Sequence, residues 1–107
     1  MAGPVKRGKV RWCRFGTPDK RPPAVILTRN SIIEHLSEIT VAPITSTIRD
    51  IPTEVVLPRA NGVPRDCAIN CDPIQTVAKG KIGPIITTLS PDNTEQLGPA
   101  IAFAVDL

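Results

Sequence analysis

The groups in this sequence best suited to chemistry are arginine, lysine, threonine, serine and aspartate residues placed beside turns. Arg21 stands immediately before Pro22-Pro23, and Thr45-Ser46 follow Pro43 at the end of an apolar run. Histidine-based catalysis has little to draw on, because His35 is the only histidine and no HExxH, GxSxG or glycine-rich phosphate loop is present. Such a set suits a reaction whose substrate brings its own nucleophile. RNA is one such substrate: its 2′-hydroxyl can attack the adjacent phosphate. The protein then has only to orient the backbone, assist proton transfer and stabilise the charge of the phosphorane. Arginine fits the last task, since its planar fork matches phosphate oxygens; its permanent charge makes it a poor general base. Each residue also has a plainer reading, Arg21 as a solvated loop arginine and Thr45 and Ser46 as hydroxyls bonded to nearby backbone.

The elements that position these residues must be short. Twelve Pro and seven Gly among 107 residues exclude an all-helical bundle and most long helices, because proline breaks helix interiors and central ladders. At this length one domain spanning residues 1–107 is expected, since two cores would each be too small to bury enough apolar surface. A chain that is 41% hydrophobic and 21% charged should fold. Cys13, Cys67 and Cys71 are odd in number and lack CxxC spacing, so neither a disulfide framework nor a zinc site is supported. Reduced, buried thiols and no cofactor or metal are expected. No apolar run approaches the ~20 residues that span a bilayer, and MAGPVKRGK lacks the apolar block of a signal peptide. A cytoplasmic location, away from membranes, is the expectation. The net charge is +3, and the basic residues crowd the first part of the chain, with Lys6, Arg7, Lys9, Arg11, Arg14, Lys20, Arg21 and Arg29 against a lone Asp19 before Glu34.

Val10 to Phe15 alternates as a half-buried strand, with Val10 and Trp12 on one face and Arg11 and Cys13 on the other. Trp12, the sole tryptophan, reads as a core filler rather than a base-stacking group. GTPDKRPP is turn chemistry, and Ala24 to Thr28 reads as a strand covered on both sides. Asn30 to Ser37 has a cap and apolar spacing for about two helical turns, with His35 exposed. Glu38 to Ser46 is the next strand, where Pro43 points to an edge or a bulge. Thr53 to Leu57, Cys67 to Cys71 and Ile82 to Leu89 complete the strands, with Asn61-Gly62 as a tight turn. Ser90-Pro91 caps a C-terminal helix with Leu97, Ile101, Ala104 and Val105 on one stripe and a break at Gly98-Pro99. The fold class is therefore α+β, mostly β: a small, strongly bent barrel with a short helix and a C-terminal helix outside it.

Six blocks occur in order along nearly the whole chain: Arg7-Gly8-Lys9-Val10-x-Trp12, Arg21-Pro22-x-x-Val25-Ile26-Leu27, Val41-x-Pro43-Ile44-Thr45-Ser46, Pro52-Thr53-Glu54-Val55-x-Leu57, Cys71-Asp72-x-Ile74-x-Thr76-Val77 and Leu89-Ser90-Pro91. Together they resemble the MazF/PemK family of toxin endoribonucleases. The resemblance implies an SH3-like barrel of the MazF/CcdB type, a homodimer that cleaves single-stranded RNA without metal to leave 2′,3′-cyclic phosphate and 5′-hydroxyl ends. It also implies a cognate antitoxin that occupies the RNA groove. The family's RP arginine falls on Arg21 and its strand-end threonine on Thr45, which are the expected catalytic pair. Ser46 is implied as a phosphate contact and Asp72 as a base acceptor or loop anchor. The loop before Arg21 is shorter than in many members, so Thr17 stands in for a family serine and Lys20 adds a phosphate contact. Pro73 occupies the place of a family glutamine that Gln75 would replace. Two other readings compete. One is a gyrase poison of the CcdB type, against which the chain end Phe103-Ala104-Val105-Asp106-Leu107 argues, since that relative uses a Trp-Gly-Ile tail. The other is an SH3-like binding module.

Overall fold

Residues 5–15, 22–59 and 62–106 are described by the computed structural model. In chain order they form β1 (Lys9–Cys13), β2 (Pro23–Ile26), α1 (Asn30–Ile33), β3 (Glu38–Thr45), β4 (Glu54–Leu57), β5 (Cys67–Asn70), β6 (Gln75–Ala78), β7 (Ile82–Thr88) and α2 (Pro91–Ala104). The strands make one antiparallel sheet in the order β4-β5-β3-β2-β1-β7, with β6 paired to β3 off this path. The sheet does not close on itself, an arrangement that fits the mostly β, barrel-like expectation.

Burial falls into two cores. Val10, Val25, Ala42, Leu57, Ile69 and Cys71 pack with Leu97 and Ala100 of α2 in the main core. Cys13, Ala24, Ile26, Ile39 and Val41 form a second core with Ile33 of α1 and Val77 of β6. Alternate residues of β2 thus enter opposite cores, which is why its run of apolar side chains is continuous.

Pro43 marks a change of partners rather than an edge. β3 pairs with β2 along one side and with β6 and then β5 along the other. Leu27 N donates to Thr40 O at 2.9 Å, so by alternation Pro43 turns its backbone away from β2. On that side Val41 is the last residue opposite β6 and Ile44 the first opposite β5, so the missing N–H costs no ladder bond. Gln75–Ala78, read above only inside a family block, is a strand of its own.

Four local expectations need correction. α1 is a single turn, because only Ile33 finds a core while Ile32 and Leu36 remain exposed. Asn30 does not cap it; its Oδ1 accepts from Arg7 N at 2.7 Å. α2 runs unbroken through Gly98 and Pro99. Its start is fixed by Ser90 Oγ, which accepts from Asn93 N at 3.1 Å. The buried residues are Asn93, Leu97 and Ala100, so the helix is anchored on both sides of Pro99, whose ring lines a groove with Pro52, Val55 and Val56. Val105 lies past the helix end and is exposed. The thiols behave as expected: all three cysteines are free and buried, and burial, with Asp72 adding to it, pushes Cys71 up to about 11. His35 is exposed, Asn61 lies outside the described residues, and Gly62 has a left-handed φ of 90° suited to the expected turn.

Candidate functional site

The end of β3 opens into a cavity of about 280 Å³. Thr45 and Ser46 line it together with Pro23 of β2, Trp12 of β1, and Val63 and Arg65 from the segment between β4 and β5. Thr45 is held opposite Ala68 of β5, and its Oγ1 accepts from Thr47 N at 3.1 Å. That bond is the local backbone contact expected of a strand-end hydroxyl, and it leaves the hydroxyl hydrogen available as a donor. Ser46 follows, exposed, where the chain leaves the sheet.

The loop beyond Ser46 is tied back by one carboxylate. Glu54 Oε1 accepts from Arg49 N at 2.9 Å and Asp50 N at 3.2 Å, and Oε2 pairs with Arg49 Nε at 2.9 Å. The Glu54 side chain is fully covered. Burial pushes its pKa up, but the hydrogen bonds and charge of Arg49 and the Asp50 N–H together outweigh this and hold it below the ordinary 4.5. A carboxylate lowered in the folded state contributes stability that is complete above its unfolded value and fades as the pH falls through the folded one. Glu54→Gln is therefore expected to cost about 1–2 kcal/mol at neutral pH. Its urea midpoint should fall less steeply than that of wild type as the pH drops below 4.5, which denaturation at several pH values would check.

The other sequence-derived candidates lie elsewhere. Asp72 is in the turn between β5 and β6, where its Oδ2 accepts from Thr53 Oγ1 at 2.7 Å; this is the loop-anchoring arrangement. Gln75 is exposed opposite Val41 at the start of β6. Neither lines the cavity of Thr45 and Ser46. Thr17, Lys20 and Arg21 lie outside the described residues. The chain just after them is fixed, because Cys13 N donates to Pro22 O at 3.0 Å and Pro23 pairs with Trp12.

Trp12 and Arg65 are site residues that sequence reasoning missed. Trp12 is 37% exposed and walls the cavity instead of filling the core. The signal was Gly83-Pro84 within the β7 run, since glycine and proline inside a strand mark bulges that re-aim neighbouring side chains. Among the described residues no group of three His, Cys, Asp or Glu gathers to hold a metal ion, and no helix is long and apolar enough to cross a membrane.

An open antiparallel sheet with a terminal helix, and a largely apolar cavity edged by Thr45, Ser46 and Arg65, define a small, mostly β protein. Residues 6–105 match the PemK-like, MazF-like toxins of type II toxin–antitoxin systems, and the chain belongs to that family. It is 39% identical over 89 residues to endoribonuclease MazF3 of Mycobacterium tuberculosis, covering 83% of this chain and 86% of that one. The solved Mycobacterium tuberculosis toxin MazF-mt6 superposes with a TM-score of 0.84 at 35% identity, over 92% of this chain and 97% of its own. An endoribonuclease in complex with its cognate antitoxin, from a mycobacterial species, superposes with a TM-score of 0.85 at 26% identity, over 95% of each chain.

Proposed function

We propose that this chain, as one domain, is a metal-independent, sequence-specific endoribonuclease that cleaves single-stranded RNA as the toxin of a toxin–antitoxin pair. The observation that supports this reading best is the cavity at the end of β3, where Thr45 and Ser46 meet Pro23, two residues after Arg21. The 2′-hydroxyl of the substrate attacks the neighbouring phosphorus, the 5′-oxygen leaves, and a 2′,3′-cyclic phosphate and a 5′-hydroxyl result. Arg21 stabilises the phosphorane through its N–H donors, the proton lost by the 2′-hydroxyl passes through solvent to the leaving 5′-oxygen, and Thr45 holds a phosphate oxygen or the leaving group. Ser46, Thr17 and Lys20 contact phosphates, Gln75 serves a base, and Asp72 accepts from a base or anchors its loop. The working form is a cytoplasmic homodimer, and the relative solved with its cognate antitoxin supports an antitoxin partner here.

Purified protein incubated with a mixed RNA pool in chelator is expected to produce new 5′ ends clustered at one short sequence. RNA left intact, or cut only after a divalent metal is added, would refute the reading.

A further inference from the structure

Trp12 breaks the alternation of its strand. Val10 and Cys13 are fully buried and Arg11 nearly so, whereas the indole of Trp12 is open to solvent. The cause lies in the pairing of β1 with β7. Val10 faces Thr87, Arg11 faces Ile85 and Cys13 faces Ile82, so β7 carries an extra residue on each side of Arg11. Such bulges bend the strand and re-aim the neighbouring side chains. Gly83 allows the close approach this needs, because a Cβ there would lie 3.2 Å from the Trp12 carbonyl oxygen and 3.4 Å from its Cβ.

The indole that results is a wall shared by two cavities. On one side is the cavity of Thr45, Ser46 and Arg65. On the other is a larger one, of about 450 Å³, lined by Arg14, Gly80, Lys81 and Pro84. Arg14 is steered there by its backbone and side chain, with N donating to Lys81 O at 3.0 Å and Nη2 to Gly80 O at 3.3 Å. Among the described residues, no carboxylate lines either cavity. Cations on both flanks of an exposed aromatic face make the pattern that single-stranded nucleic acid requires, a stacking surface with phosphate contacts before and after it. An acidic peptide would match the cations but would leave the indole face unused.

We infer that Trp12 is a stacking platform for one base of the RNA, and that the Arg14–Lys81 cavity is a second nucleotide subsite beside the bond held at Thr45 and Ser46. The inference rests on the cleavage reading of the Thr45–Ser46 cavity and adds the residues that position the neighbouring nucleotide. Trp12 and Lys81 are positioning residues: they hold the strand and take no part in proton transfer.

The chain has a single tryptophan and no tyrosine, so its indole fluorescence reports this site alone. Wild type would be titrated with a mixed-sequence oligodeoxynucleotide of about eight nucleotides, which lacks the attacking 2′-hydroxyl and is sequence-tolerant as a stacking ligand. Anisotropy of a fluorescein-labelled copy measures binding independently. Trp12 emission should be quenched in step with anisotropy. Lys81→Gln, an exposed change that spares the fold, should weaken binding about threefold or more at low salt and flatten the salt dependence. Trp12→Leu should weaken it about tenfold, and Trp12→Phe should restore most of the loss. On a cleavable RNA these variants should raise KM with little change in kcat.

Binding without quenching, or wild-type affinity in Lys81→Gln and Trp12→Leu, overturns the subsite while RNA cleavage stands. Quenching by polyglutamate but not by the oligonucleotide also overturns it, in favour of a protein ligand. Absence of both binding and RNA cleavage removes the subsite and the cleavage reading together.

Discussion

Arg21→Ala is expected to lower the rate of RNA cleavage by about 10²–10³-fold, the effect of removing one donor from a developing oxyanion. The charge that appears on the phosphorane is absent from the ground-state phosphodiester, so the loss should fall on kcat more than on KM. Pro22 and Pro23 follow this arginine in the sequence, and the proposal for it draws on them. The residue before a proline is restricted to extended backbone, and here the prolines are themselves fixed: Pro22 O accepts from Cys13 N, and Pro23 both pairs with Trp12 and lines the Thr45 cavity. Arg21→Lys should recover only part of the activity, because an ammonium keeps the charge and loses the planar fork. Single-turnover cleavage of an end-labelled RNA measures all three proteins. Cleavage by Arg21→Ala within about twofold of wild type would remove Arg21 from the mechanism.

Leu97→Ala carries the largest expected loss of stability. Its side chain is fully buried, one turn after Asn93 and one turn before Ala100 and Ile101, and it pins α2 onto the main core. Truncation of a buried leucine costs about 2–5 kcal/mol, a transfer cost plus the cavity left behind. For a chain of this size that is a fall in Tm of roughly 10 °C or more. The position also tests the unbroken helix, since a chain that breaks at Gly98-Pro99 would leave Leu97 near a frayed end with little to lose. Thermal unfolding followed by circular dichroism reads the result, with Phe103→Ala, an exposed change on the same helix, as the control. A fall in Tm no larger than that of the control would contradict the packing described here.

Much of the fold is legible because local signals and tertiary packing agree. The covered run of β2, the Ser90-Pro91 start of α2 and the turn-rich segments between strands are each determined by residues close in sequence. The exceptions are places where a distant partner decides. Pro43 resembles an edge signal until β5 and β6 are seen to share one side of β3, and Pro99 resembles a helix break until Leu97 and Ala100 are seen to be buried on both sides of it. Trp12 follows its strand's alternation on paper, and only the bulges of β7, seventy residues away in sequence, turn it outward. The site divides in the same way. Thr45 and Ser46 were found from a strand end and a family block, and they meet in one cavity. Arg65 and Lys81 bear no local mark that separates them from solvated surface cations. The family resemblance implied Asp72 as a base acceptor or a loop anchor, and the hydrogen bond it accepts from Thr53 has the form of the second, tying a turn to the start of β4.

In the proposed mechanism the substrate supplies the nucleophile and the protein supplies position and charge. An RNA containing the cleavage sequence, with one 2′-deoxy substitution at the nucleotide on the 5′ side of the cut, tests it most directly. With chelator present, the all-ribose strand should yield a 2′,3′-cyclic phosphate and a 5′-hydroxyl by mass spectrometry, and the substituted strand should bind but stay intact. Cleavage of the substituted strand, or 5′-phosphate ends from either, would show that water is the nucleophile and contradict the account.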